Sequence, residues 1–309
     1  MQTAPGRQSG RFLLDKQEED HMELNELKSW QSLSEQDRAA LAGYVENRFE
    51  GIEPHPAESF EFIGIWKKLA MLSELTGAAA VINKKVTPKL PVEFCSPESV
   101  RLEIYDSIAG EIPIICADDP RDFEALVTNI IYKGKRPENL SRTGASFASG
   151  KTSRFIILSS KPYSNVPAAE LGLEEKDWAE RSMTLRRSHE CTHYYTKQVF
   201  GITNNILHDE LIADFIGLYD AFGFYRAEWF LRFMGVINGS GGRLVVYTEG
   251  LSDNAKAAVS ELLTAAAEGL ERWSHTDEFK SLDNAGRINK LCRLGLLGCA
   301  DAGKAVNKE

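Results

Sequence analysis

Hydrophobic and polar residues follow different periods in the two halves of this chain. Residues 34–49 (SEQDRAALAGYVENRF) begin with a serine and place Glu and Asp in the next turn, which predicts a helix capped at Ser34. Residues 56–75 predict a second helix, closed by Gly77. Between 79 and 118 the segments VEF, VRLEIY and EIPIICA are short, β-branched and interrupted by Pro and Gly, as strands joined by turns are. Helical spacing returns over 119–132 (DPRDFEALVTNIIY), and a Gly/Ser/Lys/Arg-rich loop is expected over 133–152. RFIIL, 154–158, predicts a short buried strand. From Leu173 to Phe200 there is neither Pro nor Gly, so one helix of about 40 Å is expected, stopped by Gly201. A further helix over about 209–234, a break at Gly235 and NGSGG (238–242), a strand at RLVVY, and helices over 252–274 and 277–298 complete the pattern.

These blocks predict an α+β protein. A polar lead (1–32) precedes an α/β lobe with a short mixed or antiparallel sheet (33–165) and a mainly helical lobe (166–309). Phe12-Leu13-Leu14 is the only apolar island in the first thirty residues, too short for a secretory core. Nothing approaches the roughly 18 apolar residues of a membrane span. The net charge of -9 lacks the basic footprint of a nucleic-acid binder. Five scattered cysteines without a CxxC pair imply reduced thiols and a cytoplasmic setting.

Within the long helix lies HECTH, residues 189–193. Residues i and i+4 share a helical face, so His189 and His193 can present imidazole nitrogens to one ion. Glu190 lies about 100° round the helix, beside that ion, where a base takes a proton from a metal-activated water. Zinc suits such a site, since it accepts imidazole and carboxylate and keeps one position for water. The plain alternative is a helix with two half-buried histidines and a surface glutamate.

The following helix weighs against that alternative. Glu210 and Asp214, in HDELIADFIGLYD, again stand i and i+4, on a stripe shared with Ala213, Gly217 and Ala221. Small side chains let this helix approach a neighbour closely, bringing a carboxylate to a metal held by the preceding helix. Asp214 is suited to orient a ligating histidine through its second nitrogen. His208, Asp209 and Glu210 all compete as the third ligand; Glu210 is favoured because Asp214 shares its face.

HECTH followed by ELIAD resembles the gluzincin pattern, HExxH then ExxxD, of thermolysin-like zinc metallopeptidases. The resemblance spans about residues 150–220. It implies a zincin-like fold with the active-site helix between the lobes, and Zn2+ held by His189, His193 and Glu210. It also implies Glu190 as general base, Asp214 behind a ligating histidine, and a peptide or protein substrate. Zincins set an edge strand above the active-site helix; RFIIL is either that strand or a plain core strand. Tyr225, Arg226, Tyr247 and His275 stand open as oxyanion-stabilising residues, with Tyr225 and Tyr247 foremost. Arg186 is expected to pair with a Glu or Asp, or to bind a substrate carboxylate, and Cys191 to be a core thiol. Two further readings compete with the hydrolase. One is a binding or regulatory protein on a zincin-like scaffold. The other is a di-iron bundle, whose second ExxH would have to be Glu18–His21.

Overall fold

The computed structural model describes residues 22–57, 61–149, 154–202, 206–237 and 242–304. In chain order the elements are α1 (Glu35–Val45), α2 (Phe62–Thr76), α3 (Ala78–Val81), β1 (Arg101–Ser107), β2 (Gly110–Ala117), α4 (Pro120–Ile130), β3 (Ala145–Ser149) and β4 (Arg154–Ser159). They continue with α5 (Ala168–Leu171), α6 (Glu175–Phe200), α7 (Ile206–Phe222), α8 (Ala227–Met234), α9 (Leu244–Tyr247), α10 (Asp253–Ser274), α11 (Asp277–Ser281) and α12 (Asn284–Asp301). The architecture is mixed α+β, with a helical second half.

The four strands form one mixed sheet in the order β1-β2-β4-β3. β2 pairs antiparallel with β1 and parallel with β4, and β3 runs antiparallel to β4. Both faces are covered. Ile114, Cys116, Ile156 and Leu158 join the core beneath α6, while Ile115, Ala117, Phe155 and Ile157 join the core beneath α2 and α4. Burial on both faces explains why IPIIC and FIIL read as unbroken apolar runs instead of alternating ones.

RFIIL is therefore a central strand. The edge beside α6 belongs to β3, which lies inside the segment expected to be a loop; ASFAS is too small and polar to stand out as a strand. VEF is not a strand either. The Asn83 side chain takes the ladder bonds of Val92, accepting from its N–H at 2.7 Å and donating to its carbonyl at 2.9 Å. RLVVY forms the single helical turn α9, with Leu244 buried and Val245 and Val246 exposed. The helix expected over 209–234 is two helices broken at Gly223, whose φ of +76° a glycine adopts freely. The last expected helix likewise divides at Leu282–Asp283 into α11 and α12.

The expected boundary at residues 32–33 does not divide the core. Leu27, Leu33, Leu41, Val45 and Phe49 are buried with the C-terminal helices. The Glu261 carboxylate accepts from the backbone N–H groups of Lys28 and Ser29, at 2.6 and 3.0 Å. Of the polar lead, only residues 1–21 fall outside the described residues, and Glu18–His21 falls there with them. Among the described residues no helix is long and apolar enough to cross a membrane.

The helix pair α6–α7 positions the histidines. Its contacts run antiparallel: Thr196 Oγ1 meets Asp209 at 3.1 Å, Ser188 Oγ meets Asp220 at 2.6 Å, and Arg181 Nη1 meets the carbonyl of Ala221 at 2.6 Å. At Gly217 the two backbones come so close that an added Cβ would stand 2.8 Å from the carbonyl oxygen of Leu185. Gly217→Ala is expected to destabilise the protein by about 1–3 kcal/mol in denaturant unfolding, because backbone cannot yield as a side chain tip does. Gly43→Ala, inside α1 with nothing within 4 Å, is expected to stabilise by about 0.5–1 kcal/mol. Equal shifts would contradict the close approach.

Candidate metal centre

HECTH occupies the interior of α6, well away from its ends, and turns His189 and His193 toward α7. Their Nε2 atoms lie 3.0 Å apart. From the facing helix, Glu210 places Oε2 3.6 Å from Nε2 of His189 and Oε1 3.5 Å from Nε2 of His193. One donor atom from each of the three residues lies within 4.8 Å of the others.

Each imidazole is fixed from behind. Nδ1 of His189 donates to Oδ1 of Asp214 at 2.7 Å, and Nδ1 of His193 donates to Oδ2 of Asp209 at 2.8 Å. This network assigns the proton to Nδ1 in both rings and leaves the Nε2 lone pairs converging. Two lone pairs and a carboxylate at this separation repel unless a cation lies among them. A tetrahedral ion with bonds of about 2.0–2.1 Å sets its ligands about 3.3–3.4 Å apart, a spacing that the three distances bracket. The donor set of two imidazoles and a carboxylate thus fits a divalent metal ion.

The electrostatics agree. Burial alone would raise the carboxyl of Glu210; His193, His189 and Arg243 instead hold it far below the carboxylate range. Burial also works against charge on His193, yet Asp209 and Glu210 hold its pKa well above the ordinary value. A field that favours positive charge there also favours a metal cation, which would displace the proton on entering.

A cavity of about 440 Å³ opens onto this centre. Glu190 lines it, half-buried, with no hydrogen-bond or ion-pair partner among the described residues. Tyr247 lines it too. Burial first, then Glu210, push its phenol up, so it stays a protonated donor beside Glu210.

The other expected residues lie elsewhere. Tyr225 is buried against Phe215, ring centroids 4.7 Å apart, and does not line the cavity. Arg226 lies over the rings of Phe224 and Trp229, and His275 is exposed, away from the cavity lining. His208 is turned away: Nε2 bonds the carbonyl of Leu291 at 3.0 Å, and burial lowers its pKa to about 4. Asp209 supports His193, which leaves Glu210 facing the histidine pair. Cys191 is a buried thiol, raised by burial. Among the described residues Arg186 makes no pair with Glu or Asp and binds backbone carbonyls instead.

Two residues not foreseen complete the site. Tyr163, held by its N–H on Ser182 Oγ at 3.0 Å, donates its hydroxyl to Oδ1 of Asp214, and that hydroxyl lies 2.8 Å from Nδ1 of His189. Arg243 bonds Glu210 at 2.9 Å and also Asp214. It follows a backbone pinch, since a Cβ on Gly235 would stand 2.5 Å from Cα of Gly242. Only the glycines of the Gly-rich stretch hinted at this close approach; the sequence carried no signal for Tyr163.

Fold and site together define a mixed α+β protein with a His–His–Glu centre able to hold a metal. The chain belongs to a family of unknown function, DUF7005, whose model matches residues 81–153 and 152–302. No curated protein and no solved structure matches the chain.

Asp214→Asn, which leaves His189, His193 and Glu210 in place, is expected to weaken divalent-metal affinity roughly 10–100-fold in a chelator competition. Tyr225→Phe, which removes a buried hydroxyl without a partner among the described residues, is expected to leave that affinity unchanged. A loss with Tyr225→Phe, or none with Asp214→Asn, would contradict the assigned network.

Proposed function

We propose that this protein is a zinc-dependent hydrolase of gluzincin type, most specifically a metallopeptidase. The observation that carries this reading is the convergence of His189, His193 and Glu210 beside an unpartnered Glu190 in one cavity. His189, His193 and Glu210 would hold the zinc, which when bound would supply Lewis acidity toward a scissile carbonyl and a water of near-neutral pKa.

The chain's own residues supply the rest. Glu190 accepts a proton from water at its carboxylate and returns it to the leaving amine. Asp214 and Asp209 keep the imidazole nitrogens facing inward. Arg243 and Tyr247 present N–H and O–H donors beside Glu210, where negative charge on a tetrahedral oxygen needs them. Two features favour a peptide over other amides. β3 is an edge strand whose outer side pairs with no other strand among the described residues, and its first residue, Ala145, lines the cavity. An extended chain added to that edge gains main-chain hydrogen bonds.

One observation favours a second reading, a non-enzymatic binding protein. Nη1 of Arg243 already neutralises Glu210 from 2.9 Å. In that case Arg243 is the counter-ion of a structural acid cluster.

Two variants separate the readings. For the hydrolase, Glu190→Gln keeps one zinc per chain and lowers kcat on a peptide substrate by roughly 10²–10⁴-fold. Arg243→Met keeps the metal and lowers kcat more than it raises KM. For the binding protein, Glu190→Gln changes nothing and Arg243→Met lowers the unfolding midpoint. Unchanged turnover in Glu190→Gln would overturn the proposal.

A further inference from the structure

The protein carries a net charge of -9, yet the cavity wall is rich in cations: Arg142, Lys161, Arg186 and Arg243 line it against the carboxylates Glu190 and Glu210. Lys161 and Arg243 have acidic partners, Glu124 at 3.2 Å and the Glu210–Asp214 pair. Arg186 does not. It is 3% exposed, and its guanidinium is held by main-chain carbonyls: Nη1 on Ser159 at 2.6 Å, and Nη2 on Lys161 at 2.7 Å and Pro162 at 3.4 Å.

Carbonyl dipoles satisfy these donors but bring no compensating charge, and a buried cation without a counter-ion is costly. Burial pulls the guanidinium down to about 10, so it stays charged at neutral pH. The nearest acid on its own helix is Glu190, one turn on, and the two form no ion pair among the described residues.

The surroundings are built around this cation. A Cβ on Gly144 would stand 2.7 Å from Nε of Arg186, so the backbone there cedes its space to the guanidinium. The chain that supplies the carbonyls continues into Ser164 and Asn165, which line the same cavity with φ of +52° and +57°. Two consecutive non-glycine residues in the left-handed region are strained, and strain of this kind gathers at ligand sites. The Oγ of Ser164 is buried without a hydrogen-bond partner among the described residues.

Resting on the hydrolase reading, we propose that the substrate carries a carboxylate that becomes the counter-ion of Arg186 and accepts from Ser164. The substrate class is then an acidic peptide, its charge lying on an Asp or Glu side chain or on a free C-terminus.

Three peptides test this by calorimetric titration of the full-length, zinc-loaded Glu190→Gln protein: acetyl-Ala-Ala-Glu-Ala-amide, its Gln analogue, and that analogue as the free acid. At least one carboxylate peptide is expected to bind tenfold or more tightly than the neutral one. Which one does so separates a side-chain carboxylate from a C-terminal one. The preference is expected to fall below twofold in Arg186→Gln. Should that variant fail to fold, Ser164→Ala, which removes a hydroxyl with no bond to lose, is expected to weaken the preferred peptide and spare the neutral one. Equal affinities, no measurable binding of either carboxylate peptide, or a preference untouched by these changes would overturn the proposal. Turnover by the wild-type chain is read separately. A charge preference in binding without cleavage sinks the hydrolase reading alone; equal kcat/KM on all three peptides sinks the acidic-substrate inference alone.

Discussion

Gly217 sets the distance between α6 and α7, and the charged centre exists only at that distance. Leu185, one turn before His189, offers its main-chain carbonyl to the space where any side chain on residue 217 would stand. Pressed that close, the first turns of α7 bring Asp209, Glu210 and Asp214 against His193 and His189. Each contact fixes one degree of freedom: Asp214 orients one ring, Asp209 the other, and Glu210 faces both Nε2 atoms. A wider separation would strip Asp209, Glu210 and Asp214 of their histidine partners, a cost for carboxylates set this far from solvent.

Around this pair the charged side chains form one connected network. Asp214 is fully buried and binds His189, Tyr163 and Arg243 together. The carboxylates exceed the fixed cations there once the histidines are neutral, so the centre favours an additional positive ion. Arg186, on the same helix but outside this network, is the opposite case: a buried cation in want of an anion. Metal and substrate would thus complete two unbalanced charges on one wall.

The sequence carried the parts of this arrangement that are local. HECTH and ELIAD are helical spacings, and α6 and α7 keep them in register; the small residues Ala213 and Gly217 announced the close packing. The helices 35–45, 62–76, 175–200 and 253–274 and the strands β1, β2 and β4 follow from period and capping. What escaped was non-local or weakly patterned. Tyr163 and Arg243 reach the site from loops 26 residues before His189 and 33 after Glu210. β3 is four small residues around one aromatic, and its strand character comes from pairing with β4. LVVY has strand-forming residues but no strand to pair with among the described residues, so it closes as one helical turn. Tyr225 looked like a site residue because it is aromatic and polar near the motif, yet the turn at Gly223 sends it into the core against Phe215.

The central claim is that His189, His193 and Glu210 hold a metal. Elemental analysis of the purified protein beside His189→Ala and Glu210→Ala tests it most directly. The account predicts about one zinc per chain in the wild type and its loss in both variants while they remain folded. No metal in the wild type after zinc is added back, or full retention in both variants, would contradict it.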